Sequence, residues 1–187
     1  MEQELREHLM EDEQLLWTGR PEAFDTFDRT NKASLIIGLI IKAVVALGMI
    51  VTYVVAQDRE SMKPGIIIIV LLFAAVAIVN PFMVARRLRK RTLYGLTDKR
   101  VMRSGAYDEA VPYEHIKSAK LCTDADGHAT LLCGPRAVDL KPHQWRVEAD
   151  ASFINNLDAP EAARVILYAV PMSDELQSIL KKYLPIQ

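Results

Sequence analysis

The residues with the clearest chemical potential form a short basic run. Five of the six residues between positions 86 and 91 are basic, namely Arg86, Arg87, Arg89, Lys90 and Arg91. Beside a membrane, such cations can bind anionic lipid headgroups and gain about 1 kcal/mol each. The same cations also fix the topology of a membrane protein, because basic flanks stay in the cytoplasm. Both interpretations remain open at the level of the sequence.

A second candidate is a lysine within an apolar run. Lys42 has apolar neighbours on both sides, and Asn80 lies at the matching depth of a second apolar run. Pro81 has no amide hydrogen, so in a helix it leaves the carbonyl of Ala77 without its usual donor. We predict that Lys42 contacts Asn80 and this carbonyl as a structural clasp within the membrane. The alternative is that Lys42 extends to the cytoplasmic interface.

Residues for catalysis or metal binding form no recognisable set. The sequence contains no nucleophile with an adjacent base and no glycine-rich phosphate loop. Asp124 and Asp126 precede Gly127, but the spacing and terminal glutamate of an EF-hand are missing. Cys122 and Cys133 lie in separate strand-like runs. The simplest interpretation is that both serve as small buried apolar residues. We therefore predict no enzymatic activity, no cofactor and no metal site.

Two long apolar runs must position these residues. They extend from Ser34 to Ala56 and from Gly65 to Val84. A bilayer core about 30 Å thick needs roughly 20 apolar residues in a helix. Lys42 costs about 2.5 to 3.5 kcal/mol near the centre of such a helix, but the 13 Leu, Ile and Val residues of its run contribute about −4 to −8 kcal/mol. The runs predict a transmembrane helical hairpin over residues 34–84, with two buried helices of a soluble core as the alternative.

The charges beside the two runs predict the topology of the hairpin. Arg29 and Lys32 precede the first run and the basic run follows the second, whereas the connection at 57–63 holds two cations and two acids. Positive residues close to a span stay on the cytoplasmic side. We therefore predict a multi-pass protein of the cell (cytoplasmic) membrane with both termini in the cytoplasm.

The remaining chain is sufficient for one small domain. The chain has 187 residues and a net charge of −1, which argues against a nucleic-acid partner. We divide it into an N-terminal cytoplasmic segment with a docking strand (1–33), the hairpin (34–84), a polybasic juxtamembrane linker (85–91) and a cytoplasmic domain (92–187).

The cytoplasmic domain begins with the two-residue period of β-strands. A hairpin turn is predicted from Thr97 to Arg100, and further strands are predicted at 107–113, 116–122, 129–133, 137–140 and 141–150. Closely spaced short strands predict a small antiparallel sheet that closes on itself. Leu15 and Trp17 alternate in the same way, so we expect their segment to dock on this domain as a strand.

The end of the chain is predicted to be a broken amphipathic helix. Asp158 and Pro160 form a helix start, and Val165, Ile166 and Ala169 recur at helical spacing. Pro171 interrupts the pattern. Ser173 then caps a second segment with an apolar stripe of Leu176, Ile179, Leu180 and Tyr183. We expect this helix to pack across the open end of the small barrel.

Two motifs make the chain similar to the bacterial pleckstrin-homology-like membrane proteins. The stretch Leu16-Trp17-Thr18-Gly19-Arg20-Pro21 matches their Leu-Trp-x-Gly-Arg-Pro type motif. After the hairpin, Tyr94-Gly95-Leu96-Thr97-Asp98-Lys99-Arg100-Val101 matches their Tyr-x-Leu-Thr-Asp-x-Arg-Val motif. The resemblance covers most of the chain from position 15 to about position 170, and it is weakest at 122–150 and after 171.

The resemblance implies a pleckstrin-homology-like (PH-like) fold, which is a partly closed antiparallel β-barrel with a C-terminal helix. With the hairpin, the expected class is membrane-anchored α+β. This fold carries binding and scaffold roles more often than catalysis. We expect a scaffold module that acts through protein–protein interaction, with an unknown protein partner or a further copy of the chain. The alternative is a module that senses or handles anionic membrane lipids.

Overall fold

The chain folds into five α-helices and seven β-strands within the residues that the structure, a computed structural model, describes: 2–57, 63–105, 109–135, 139–150 and 164–186. The helices are α1 (Glu2–Glu7), α2 (Lys32–Ala56), α3 (Pro64–Arg91), α4 (Pro142–Asp150) and α5 (Asp174–Tyr183). The strands are β1 (Leu15–Gly19), β2 (Leu93–Thr97), β3 (Arg100–Ser104), β4 (Glu109–Pro112), β5 (Ser118–Thr123), β6 (Ala129–Gly134) and β7 (Val165–Val170). The α+β class predicted from the sequence is confirmed.

The strands form two antiparallel sheets. One has the order β1-β2-β3-β4 and the other the order β5-β6-β7. Neither sheet closes into a barrel within the described residues, in contrast to the predicted single closed sheet. The prediction of one closed sheet requires backbone hydrogen bonds between neighbouring strands throughout, but here a side chain connects the two sheets. The phenol oxygen of Tyr94 on β2 donates to the carbonyl of Tyr168 on β7 (2.7 Å) and accepts from the amide of the same residue (3.0 Å).

The main core lies between the two sheets and beneath α5. Leu176, Leu180 and Leu184 pack from the α5 side against buried residues of both sheets, including Leu96 and Leu131. The predicted helix start is confirmed, because the Ser173 hydroxyl accepts a hydrogen bond from the amide of Leu176 (3.1 Å). The second segment of the predicted broken helix is therefore present as α5.

Two predicted elements have the wrong secondary structure. The segment Val165–Val170, expected to be helical, is strand β7, and all six of its residues are buried. A short apolar run buried on both faces has no period that separates helix from strand. The segment 141–150, expected as a strand, contains helix α4, which begins at Pro142 and buries Trp145 and Ala149 at helical spacing. Residues 139–140 are not in a strand, whereas 136–138 and 151–163 lie outside the described residues.

The docking strand is confirmed. β1 pairs antiparallel with β2, with Thr18 opposite Gly95 and Gly19 opposite Tyr94. The indole ring of Trp17 lies over Gly19, so that a Cβ added there would be 2.3 Å from the ring carbon Cη2. The spacing of tryptophan and glycine in the first motif thus has a direct physical reason.

Gly19→Ala is expected to displace the Trp17 ring and to lower the free energy of unfolding by about 1 to 3 kcal/mol, the usual cost of overpacking. Gly38→Ala is the matched control, because a Cβ at position 38 has open space around it. Thermal unfolding of the two variants in detergent checks this. Equal melting temperatures would contradict the packing described for Trp17.

Helices α2 and α3 are both long and apolar enough to cross a membrane. They contain 25 and 28 residues. In the most apolar 18-residue stretch of each helix, only 6% and 0% of the stretch, respectively, is buried. A pair of core helices in a soluble protein would bury most of this surface. The exposed apolar length is compatible with membrane association.

Helix α3 does not stop at the end of its apolar part. The residues assigned to a linker, 85–91, are its last turns, because α3 ends at Arg91. Val84, Ala85 and Leu88 are buried in a second core with Trp145 of α4 and Ile166 of β7. Burial of this helical face makes the segment part of α3, where a separate juxtamembrane linker was expected.

Candidate functional site

The last turns of α3 present the five cations in two groups. Arg87 pairs with Asp150 of α4 through two hydrogen bonds, one of them from Nε to Oδ1 at 3.0 Å. Arg89 lies over the ring of Phe24 (5.6 Å from its centroid) and donates to the Phe24 carbonyl (3.3 Å). These two cations hold α4 and the N-terminal segment against α3.

The other three cations face outward. Arg86, Lys90 and Arg91 are exposed, and no acid in the described part of the chain pairs with them. With Met83 they line a surface cavity of about 430 Å³. Cations on consecutive turns of one helix, next to an apolar side chain, can hold a phosphate group at a membrane surface. We call Arg86, Lys90 and Arg91 the basic face.

A buried polar cluster lies where the N-terminal segment, α4 and β7 meet. The Arg146 guanidinium pairs with Asp28 and donates to the carbonyls of Asp25 and Thr26, each at 3.0 Å. It also stacks on Phe24, 4.6 Å from the ring centroid. Burial raises the pKa of the neighbouring Tyr168 phenol to about 12, so this hydroxyl stays neutral and donates. No sequence pattern had indicated this cluster, because Arg146 and Asp28 are 118 residues apart.

Two further carboxylates lie beside Asp28 of this cluster. Oxygens of Asp28, Asp124 and Asp126 lie within 4.8 Å of one another. Protein donors already hold them: Asp126 accepts from the amides of Arg29 (3.3 Å) and Thr30 (3.1 Å), and Asp124 accepts from the amide of His128 (2.9 Å). We therefore assign these carboxylates the structural role of fixing the chain at the start of α2.

A groove lies on the domain at the turn between β2 and β3. Its volume is about 510 Å³, and its lining includes Lys99, Pro112, Tyr113, Glu114 and Tyr183. The rings of Tyr113 and Tyr183 stack with centroids 5.2 Å apart. Tyr113 also donates to the carbonyl of Thr97 (2.8 Å), which fixes the orientation of its ring. We call this surface the tyrosine groove.

Three residues of the second motif, Asp98, Lys99 and Arg100, line the tyrosine groove. Thr97 donates from its hydroxyl to Glu13 (2.6 Å), and Arg100 pairs with the same carboxylate (2.8 Å). Burial alone would raise the pKa of Glu13, but hydrogen bonds from Arg100, Thr97 and the amide of Met10 hold it below its usual range. Asp98 accepts from the amide of Gln14 (2.8 Å). These motif residues therefore have structural roles in attaching the N-terminal segment.

The first motif combines structural residues with an exposed cation. Pro21 is buried, and Trp17 packs against the main core. Arg20 is exposed and has no partner among the described residues. The motif thus explains how β1 is held, and the contacts of the described chain give no role to Arg20.

One of the two contacts predicted for Lys42 is present. Its ammonium donates to the carbonyl of Ala77 (2.9 Å), the acceptor that Pro81 leaves free. Asn80 has an exposed side chain and no hydrogen bond to Lys42. Of the two predicted acceptors, only the Ala77 carbonyl binds the Lys42 ammonium.

The two cysteines are not reactive groups. Cys133 is buried, and burial raises the pKa of its thiol to about 12. Burial also raises the pKa of the partly exposed Cys122 thiol. The thiolate is the reactive form, so neither residue has the surroundings of a nucleophile.

Comparisons with known proteins give no match, whether with family models, with curated proteins or with solved structures.

Proposed function

We propose that this chain is a membrane-tethered binding module, in which a transmembrane hairpin holds a PH-like domain at the cytoplasmic face of the cell membrane as a scaffold for protein partners. The observation that carries the proposal is the continuity of α3, which passes from an exposed apolar helix into the second core without interruption. Because the helix is continuous across this transition, it fixes the orientation of the domain relative to the apolar part of α3. A flexible tether would only restrict its distance from the membrane.

The exposed apolar surface of α2 and α3 supports the spanning hairpin. Phe27, just before α2, contacts Phe82 of α3 with ring centroids 5.6 Å apart. Aromatic rings are favoured at the level of lipid headgroups, and the basic face lies one turn beyond this pair. A four-stranded sheet, a three-stranded sheet and a C-terminal helix packed in the core that they share support the PH-like assignment.

The tyrosine groove is the surface that we assign to a protein partner. It combines two stacked aromatic rings, a proline and charges of both signs, and aromatic side chains are enriched at the centres of protein interfaces. Its walls are rigid, since Tyr113 is hydrogen bonded and Arg100 is paired with Glu13. Such a preformed surface loses little conformational entropy on binding.

Site-specific photo-crosslinking in intact membranes tests this assignment. A photoreactive residue at Glu114, which is exposed and lines the tyrosine groove, is expected to give one discrete protein adduct. The adduct is expected to disappear in Tyr183→Ala, which removes one ring of the groove. A photoreactive residue at the exposed Ser178, which is outside the groove lining, is the control position. Equal adducts from positions 114 and 178, or no protein adduct at all, would contradict the scaffold assignment.

Anionic-lipid binding is the second candidate function, and the basic face supports it. Arg86, Lys90 and Arg91 are the cations of the run that the domain does not use, and they adjoin the exposed Met83. The same crosslinking experiment with the photoreactive residue at Lys90 distinguishes the two functions. An adduct with anionic phospholipid that fades at high salt favours the lipid function, because such contacts between exposed charges are screened.

A further inference from the structure

We propose that Lys42 and Asn80 form an interaction site within the membrane for a transmembrane helix of a partner protein that carries a carboxylate. This inference rests on the proposed spanning hairpin and goes beyond it, since it names a partner chemistry for the hairpin itself. The tyrosine groove and the basic face play no part in it.

The charge of Lys42 has no acidic counterion within either helix of its hairpin. Neither α2 (Lys32–Ala56) nor α3 (Pro64–Arg91) contains an aspartate or a glutamate. The ammonium has three donors, and within the described chain only the Ala77 carbonyl accepts from it. Two donors of Lys42 therefore remain available on a half-exposed part of the hairpin surface.

The depth of this charge argues against a lipid phosphate as its partner. Lys42 is ten residues into α2, or about 15 Å from the start of that helix, and Ala77 lies about 14 Å along α3 from Arg86. Half of a bilayer core is about 15 Å thick, so both estimates place the ammonium near the centre of the bilayer. Since Nζ is directed at Ala77, the side chain does not extend to the interface.

The chemistry of Lys42 and Asn80 indicates which partner group fits this site. Ionisable groups inside membranes pair with one another or with backbone carbonyls, and a carboxylate would neutralise the lysine while accepting its free donors. The exposed amide of Asn80, one turn from Ala77, can donate to the same group. A second copy of this chain docked on the same face would bring two Lys42 ammonium groups together, so like-charge repulsion disfavours it.

The test uses the full-length protein in phosphatidylcholine vesicles, with energy transfer to two synthetic transmembrane peptides. Both peptides consist of about 20 leucine and alanine residues, and they differ only in a central glutamate or glutamine. The glutamate peptide is expected to associate about fivefold more tightly, within the range of measured polar contacts between membrane helices. Lys42→Met is expected to abolish this preference, and Asn80→Leu is expected to weaken it. Val45→Met, an exchange at another exposed position of α2, is the matched control and should keep the preference.

Failure of the inference differs from failure of the hairpin. Equal association of the two peptides with the wild-type protein, or a preference that persists in Lys42→Met, would overturn the interaction site. An alkaline carbonate wash of the same vesicles reports on insertion. Protein that resists the wash but shows no preference overturns this inference alone, whereas protein released by the wash overturns the membrane-spanning proposal together with it.

Discussion

Arg146→Met is expected to lower the free energy of unfolding by about 3 to 5 kcal/mol, because it leaves the buried Asp28 carboxylate without its counterion. The side chains of Arg146 and Asp28 are only 5% and 3% exposed. The guanidinium also satisfies the carbonyls of Asp25 and Thr26, so its loss leaves several acceptors without a donor. Chemical denaturation in detergent, followed by tryptophan emission, measures the change.

The double variant Asp28→Asn with Arg146→Met separates charge from packing. Asparagine keeps an amide oxygen that can accept from the Asn31 amide as Asp28 does now (2.7 Å), but it removes the unpaired charge. We expect the double variant to be more stable than Arg146→Met alone, since the two effects share one ion pair. Additive losses in the double variant would contradict the pairing that the structure shows.

Leu88→Ala is the second variant with a large expected effect. Leu88 is 1% exposed and packs in the second core, so its truncation is expected to cost about 2 to 5 kcal/mol. Leu72→Ala makes the same chemical change on the same helix at a position that is 61% exposed, and it should change stability by less than about 0.5 kcal/mol. Resistance of residues 92–187 to added protease measures both. Equal resistance of the two variants would mean that α3 is not part of the domain core.

Both variants concern the same junction between hairpin and domain. Arg146 ties α4 to the segment before α2, and Leu88 ties the end of α3 to α4 and β7. Phe24 connects the two, since its ring contacts Arg146, Arg89 and Tyr168. The domain is thus held at the start of α2 and at the end of α3, and its orientation follows that of the two helices.

Features with local causes could be predicted from the sequence. The length of the two apolar runs indicated α2 and α3, alternation indicated β1, and a capping serine indicated α5. The contact of Lys42 with the Ala77 carbonyl follows from the covalent structure of Pro81, which lacks the donor that would otherwise occupy that oxygen.

Features that depend on distant partners could not be predicted. β7 is a strand because β6 pairs with it, and its six apolar residues carry no period of their own. The basic run appeared as one group, but Asp150 and Phe24 divide it into two bound cations and the three of the basic face. Partners 63 or 65 residues away in the chain leave no local signal.

The most direct test of the account is the topology of the hairpin, measured with an impermeant thiol reagent on intact cells after replacing both native cysteines. A cysteine at Ser61, in the connection between the helices and outside the described residues, is expected to react. A cysteine at Ser178, exposed on α5, is expected to react only after the cells are permeabilised. Labelling of position 178 in intact cells, with position 61 protected, would contradict a hairpin that holds the domain at the cytoplasmic face.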